Sequence, residues 1–218
     1  MPITNANYNP PMVAIRLNQL LTESGHAPLD PGTTGKFAAY LALLLKWNAK
    51  TNLTAIRDEE GILSRHFLES ILCASKLPKD IVSLLDFGSG AGFPGIPIAL
   101  MRKEISVTLA ESQNKKAAFL REAVRTLNLK TQVHSGRAET LKTIYDCITL
   151  RAVDNMAQAI PAAIRLLKPN GYLAIMTTTE DAAMIQSAAE QCALPHWYPL
   201  QPLPQNTNRV LLLGQLGN

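Results

Sequence analysis

Cysteine is scarce in this chain. Its three residues, Cys73, Cys147 and Cys192, are scattered, with no C-x-x-C pair and no nearby histidine pair. That argues against a disulfide framework or a zinc site, so the three read as small core hydrophobes and no metal is expected. Long apolar runs are missing too. The longest, Phe37 to Leu45, has nine residues, against the roughly 20 that a membrane helix needs. The first twelve residues hold Pro2, Asn5, Asn7, Asn9, Pro10 and Pro11 and lack the apolar segment of a secretory signal. We therefore expect a disordered tail over 1–12 and a cytoplasmic protein with no membrane partner. There is no internal repeat, no low-complexity tract and no large excess of charge, the net value being +4. With 218 residues, 47% of them hydrophobic, the chain can bury a full core as one domain with an appendage.

What is present is concentrated in Leu84-Leu85-Asp86-Phe87-Gly88-Ser89-Gly90-Ala91-Gly92-Phe93-Pro94-Gly95. An apolar run ends in an acid, glycines alternate, and a helix can begin, which is the pattern of a nucleotide-type cofactor loop. Two registers compete. Read from Gly90, the segment fits the dinucleotide pattern G-x-G-x-x-G. Read from Gly88, it is G-x-G-x-G with Asp86 two residues earlier, and Gly88 follows the strand directly. An acid beside a pyrophosphate would repel it, so Asp86 favours a cationic ligand. S-adenosylmethionine carries a sulfonium and an ammonium and no phosphate. A second acid, Glu111, closes the next apolar run 23 residues after Gly88, where a carboxylate can accept both ribose hydroxyls. NAD would use such an acid as well.

From Ile81 onward the pattern alternates. Strands are expected near 81–87, 105–110, 131–134, 145–151, 172–177 and 209–213, with helices near 95–102, 114–127, 154–167 and 180–192. That is a doubly wound α/β sheet, a core over 79–218 preceded by a helical region over 13–78. Ligands of such sheets bind beyond the carboxyl ends of the strands. Asp86, Gly88, Glu111, Glu139 and Arg151 all fall at or just after predicted strand ends. In the helical region, Asp58 can cap a helix that contains Ile62, Leu63, Phe67 and Ile71. Between 113 and 137, Lys115, Lys116, Arg121, Arg125, Lys130 and Arg137 face one acid, Glu122. This basic face is either solvated or a contact surface for RNA phosphates.

The segments Lys46-Trp47-Asn48-Ala49-Lys50-Thr51-Asn52-Leu53-Thr54, Arg65-His66 and Gly92-Phe93-Pro94-Gly95-Ile96-Pro97 together resemble the bacterial small-subunit ribosomal RNA methyltransferase G family, also called glucose-inhibited division protein B. The resemblance runs from about Phe37 to Ile175 and resumes at Arg209 to Leu213. It implies a Rossmann-like class I S-adenosylmethionine-dependent methyltransferase sheet with an N-terminal helical cap. It also implies methylation of guanine N7 in 16S ribosomal RNA, with the RNA or the small ribosomal subunit as partner. Carried over by motif, Gly88, Gly90 and Phe93 line the cofactor loop, Ala138 and Glu139 meet the adenine, and Arg151 lies at the cofactor and the incoming base as the catalytic candidate. Two departures stand out: Thr177-Thr178-Thr179 replaces a usual Lys-Gly, and Glu111 stands where Asp is frequent.

N7 of guanine is an unprotonated acceptor, so its attack on a methyl group needs no base. The D/N-P-P-Y/F run of exocyclic-amine methyltransferases has no counterpart, since its place reads Leu150-Arg151-Ala152-Val153. His66 reads as a hydrogen-bonded structural histidine, Trp47 as core and Asn52 as a turn residue bonding backbone. Arg57 and Arg65 grip RNA or form surface pairs. Competing functions are a nicotinamide-dependent oxidoreductase, a non-catalytic ribosome or RNA-binding module and a small-molecule methyltransferase. A monomer is expected, and Arg151→Ala is expected to keep the fold while losing activity.

Overall fold

The computed structural model describes residues 9–217 except 154, 193, 195 and 205. Two helices, α1 (Pro10–Glu23) and α2 (Pro31–Asn48), open the described chain. Residues 1–8 of the expected tail lie outside the described residues, whereas Pro10, Pro11 and Met12 form the first turn of α1. Proline suits that position because a first-turn N–H has no helical partner to lose. Asp30 caps α2 by accepting from Thr33 N at 3.0 Å, with Pro31 again at the first helical position. Next come α3 (Glu59–Gly61), a π-helical segment (Ile62–Leu68) and α4 (Glu69–Lys76) in unbroken succession. Asp58 caps this stretch through Gly61 N at 2.7 Å, as its position predicts.

The rest alternates: β1 (Ser83–Phe87), α5 (Gly95–Met101), β2 (Ser106–Glu111), α6 (Asn114–Thr126), β3 (Gln132–Ser135), β4 (Tyr145–Arg151), α7 (Met156–Ile164), β5 (Leu167–Thr178), α8 (Thr179–Glu190), β6 (His196–Trp197), β7 (Gln201–Pro202) and β8 (Arg209–Gln215). Among the described residues the sheet order is β3-β2-β1-β4-β5-β8-β6, with β7 also on β8. Strands β1 to β5 pair in parallel, and β8 returns antiparallel to β5. The two short strands β6 and β7, two residues each, were too brief to leave a pattern in the sequence.

Period-two alternation divides β1, β2, β4, β5 and β8 between two apolar clusters. Leu84, Val107 and Cys147 join α1, α2, α4, α5 and α6 on one face, while Leu85, Ile148 and Leu173 join α7 and α8 on the other. The N-terminal helices therefore share a core with the sheet: Phe37, Tyr40, Phe67 and Phe119 are fully buried within one cluster. Each such ring contributes on the order of 1.5–3 kcal/mol by leaving water. Two polar links add to this packing. Tyr40 donates its hydroxyl to the Ala91 carbonyl in the glycine loop, and Trp47 Nε1 donates to Glu122 of α6 at 3.0 Å.

Gly95 sits where α5 crosses the end of β1, and a Cβ there would lie 2.6 Å from Asp86 Oδ2 and 2.8 Å from Asp86 Cβ. Gly95→Ala is therefore expected to cost about 1–3 kcal/mol through forced displacement of a packed strand. Urea unfolding measures it, and an unchanged midpoint would mean that α5 moves off the strand freely.

Candidate active site

The carboxyl ends of the parallel strands open into a cavity of about 1200 Å³. It lies where the chain order reverses, since β1 leads to β2 on one side and has β4 on the other. Gly88 follows the end of β1 at Phe87, so the register from Gly88 is the one adopted. Gly88 and Gly90 hold φ of +75° and +56°, a region that side chains rarely enter. A Cβ on Gly90 would meet only Gly88 O, at 3.9 Å, so the backbone faces open cavity. Gly88 N and Ser89 N donate to Ala110 O at 3.0 and 2.9 Å, which fixes the loop to the end of β2.

Glu111 lines the cavity beside this loop. Its Oε2 accepts from Gly90 N at 2.9 Å and its Oε1 from Gln113 N at 2.7 Å. A carboxylate offers about four lone-pair sites, so two remain for ligand hydroxyls. Phe93, Ala138 and Glu139 also line the cavity, Ala138 and Glu139 from the short turn Ala138–Thr140. Arg137 pairs with Glu139 at 2.9 Å. Loop, acid and turn thus surround one space from three strand ends.

Asp86 corrects the sequence expectation. It does not line the cavity, because alternation along β1 sends it to the same face as Leu84, beneath α5, where it is 1% exposed. There its carboxylate accepts from Thr149 Oγ1 at 2.8 Å and from Gly95 N at 3.2 Å. Burial pushes the carboxyl up to about 6, against the lowering effect of those hydrogen bonds. The acid braces the loop from below and lies outside the cavity lining.

Arg151 lines the cavity at the end of β4, and its side chain is also held in an ion pair. Alternation along β4 places it on the face of Cys147 and Thr149, toward the N-terminal helices. One Nη donates to Glu69 Oε2 at 2.7 Å and to the Arg65 carbonyl at 2.6 Å, and the other to Ser70 Oγ at 3.3 Å. The guanidinium is 13% exposed and Glu69 3%, so this is a buried ion pair on the cavity wall. Glu69 was not singled out from the sequence, because a lone glutamate on a helix has no motif and its partner lies 82 residues away. Burial raises its carboxyl, while Arg151, Arg209 and Arg65 oppose that shift.

His66, from the π-helical segment, stacks on Phe93 with ring centroids 4.6 Å apart. Its Nε2 lies 2.7 Å from Thr54 Oγ1. Burial, then the charges of Arg151 and Arg65, lower its imidazole to about 3. The loop that presents Thr54 is organised by Asn48, not by Asn52 as the sequence suggested. Buried Asn48 accepts from Leu53 N at 2.9 Å and Thr54 N at 3.1 Å and donates to the Thr54 carbonyl. Asn52 instead accepts from Arg57 at 2.9 Å. Widened π-helical turns recur at functional sites, and this one carries both Arg65 and His66 to the cavity.

Of the basic stretch, Lys116 and Arg137 line this cavity, whereas Arg121 and Arg125 border a separate hollow of about 430 Å³ with Asn128 and Thr131. Thr177 and Thr178, in place of Lys-Gly, also line the cavity, and Thr178 sits directly across from Arg209 of β8. Among the described residues no His, Cys, Asp and Glu cluster could hold a metal ion, and no helix is long and apolar enough to cross a membrane.

A mixed sheet with this strand order, five parallel strands followed by an antiparallel β8, a glycine loop after the first strand and an acid ending the second, defines the class I S-adenosylmethionine-dependent methyltransferase fold. A solved S-adenosylmethionine-dependent methyltransferase from Aquifex aeolicus shares it with a TM-score of 0.58 and 16% identity, over 72% of this chain and 93% of that one. More specifically, the family described as rRNA small subunit methyltransferase G (GidB) matches residues 33–204, and the chain belongs to it. A ribosomal RNA small subunit methyltransferase G from a Roseiflexus species is 45% identical over 150 residues, covering 66% of this chain and 64% of that protein. Its counterpart in Xanthomonas euvesicatoria is 42% identical over 192 residues, covering 87% of this chain and 90% of that protein. Membership in this family sets aside the oxidoreductase reading.

Removing one partner of a buried pair leaves the other charge stranded, typically at about 3–5 kcal/mol. Arg151→Ala is therefore expected to lower unfolding free energy by that order, contrary to the expectation from sequence. Denaturant unfolding tests it, and an unchanged midpoint would return Arg151 to a purely catalytic role.

His66 should show no titration between about pH 5 and 8, because its folded value is about 3 and its ordinary value 6.5. The unfolded state then binds more protons across that interval, so this contribution to stability is complete above pH 6.5 and lost as pH falls toward 3. Imidazole NMR shifts recorded against pH decide the matter; an inflection near 6.5 would mean that the ring is open to solvent.

Proposed function

We propose that this chain, a cytoplasmic monomer, transfers the methyl group of S-adenosylmethionine to N7 of one guanine in 16S ribosomal RNA, with the small ribosomal subunit as substrate. The observation that carries the reading is the proton chemistry of the cavity wall. His66 is neutral and a weak base, Glu69 is held by guanidinium groups, and Asp86 is sealed beneath the loop. A nucleophile that must first lose a proton is poorly served by this wall. Guanine N7 brings its own lone pair and loses none.

Gly88 and Gly90 would hold the cofactor by close backbone approach, Glu111 by accepting its ribose hydroxyls, and Ala138 and Glu139 by flanking its base. When bound there, S-adenosylmethionine supplies an electrophilic methyl group. Phe93, backed by His66, offers an apolar ring face beside the loop. The chain's residues contribute orientation and exclusion of water, and alignment of reacting groups is worth roughly 7–11 kcal/mol when geometry is good. Arg151 acts as a positioning residue for this wall. The base must be unpaired, since the A-form major groove is too narrow for side chains.

The expected product is N7-methylguanine at a single position of small-subunit RNA after incubation with S-adenosylmethionine. Borohydride and aniline cleave the chain there, so primer extension should give one strong stop that untreated RNA lacks. A different methylated nucleotide by mass spectrometry, with no such stop, would overturn the N7 assignment.

A further inference from the structure

Three arginines from three separate elements converge on the one buried carboxylate of Glu69. Arg151 reaches it at 2.7 Å from β4, Arg65 through Nε at 3.1 Å from the π-helical segment, and Arg209 through Nε at 3.9 Å from the start of β8. One carboxylate against three guanidinium groups leaves two surplus positive charges at the cavity mouth. Arg151 is used up internally by Glu69, Ser70 and the Arg65 carbonyl. Arg65 and Arg209 are not. Their side chains are 47% and 35% exposed, both line the cavity, and each meets Glu69 by Nε alone. Among the described residues their terminal amino groups have no hydrogen-bond acceptor.

We infer that Arg65 and Arg209 form a phosphate clamp for the RNA backbone next to the target base, held in register by Glu69 as a positioning residue. This rests on the reading of the chain as an RNA methyltransferase. Guanidinium forks match phosphate oxygens in bidentate fashion; the Nε hydrogen bond of Arg65 to Glu69 orients its fork, Arg209 is drawn to the same carboxylate by charge at 3.9 Å, and both outer edges stay free. The cofactor's own carboxylate is the other anion that could reach this mouth. A single carboxylate balances only one of the two surplus charges. Arg209 also stands on β8, three strands from the glycine loop in the order β1-β4-β5-β8, about 14 Å across at ordinary strand spacing. Thr177 and Thr178 between them carry no charge to compete, and Thr178 lies across from Arg209.

The test measures binding of the full chain to a 16S ribosomal RNA fragment against salt, calorimetric affinity for S-adenosylmethionine, and KM for small subunits. The variants are Arg65→Gln, Arg209→Gln, the double variant and Arg209→Lys. A lost phosphate contact lowers the slope of log K against log salt by roughly 0.7–0.9, so the double variant should lose about 1.4–1.8. Its KM for RNA should rise at least about tenfold, with S-adenosylmethionine affinity within about twofold of wild type. Arg209→Lys should keep the slope, since the charge remains. An unchanged slope in a folded double variant, with the wild type methylating small subunits normally, would overturn the clamp while leaving the proposed function standing. Loss of S-adenosylmethionine affinity with RNA binding intact would overturn it in favour of the cofactor carboxylate. A wild type that methylates no small subunit would fail the functional reading first, and the clamp with it.

Discussion

The site depends on a carboxylate that lies outside the cavity it shapes. Asp86 accepts from Thr149 on the neighbouring strand and from the first residue of α5, so one buried side chain sets both the spacing of β1 to β4 and the point where the helix starts. Glycines between those two fixed points have a defined span to cross. Their positive φ values are the result, and the loop is shaped from beneath as much as by its own flexibility. An unpaired carboxylate at this depth would be untenable; the hydrogen bonds make it a brace.

A second brace works from the side. Helices α1 and α2 do not sit on the sheet as a detachable cap, since they share its apolar cluster and Tyr40 bonds the glycine loop directly. The π-helical segment then brings Arg65 and His66 to one wall, and Glu69 immediately follows it. With Glu69 bound to Arg151, the position of the N-terminal helices is written into the end of β4. The N-terminal helices and the sheet are thereby joined by a shared apolar cluster, by the Tyr40 bond and by the ion pair of Glu69 with Arg151.

The sheet was legible because periodicity two and periodicity 3.6 are properties of local sequence. The parallel strands and helices α5 to α8 begin and end within a few residues of the predicted limits, apart from β5, whose added start at Leu167 runs through Lys168, Pro169 and Asn170. The glycine loop and Glu111 were legible for the same reason, being a strand end followed by turn chemistry. What could not be read was direction and long-range partnership. Asp86 was identified as important, yet which face it takes depends on where α5 packs. Glu69 finds its charges on residues 82 and 140 positions later, and neither separation leaves a pattern. Asn48 and Asn52 lie in the same motif, and only the loop's conformation decides which organises it.

Strand β8 comes last in the described chain but not at the margin of the sheet: it lies between β5 and β6, with β7 also paired to it. Its Leu211 and Leu213 complete one apolar cluster and its Leu212 the other. Both cores are thus unfinished until this segment has been synthesised and has left the exit tunnel, and long-range strand pairing of this kind is slow to form. Arg209, at the mouth of the cavity, arrives with the same strand. A nascent chain tethered to the ribosome that is making it holds the glycine loop before it holds β8 in the sheet. A chain cut short before β8 would lack both the finished cores and the arginine at the cavity's entrance.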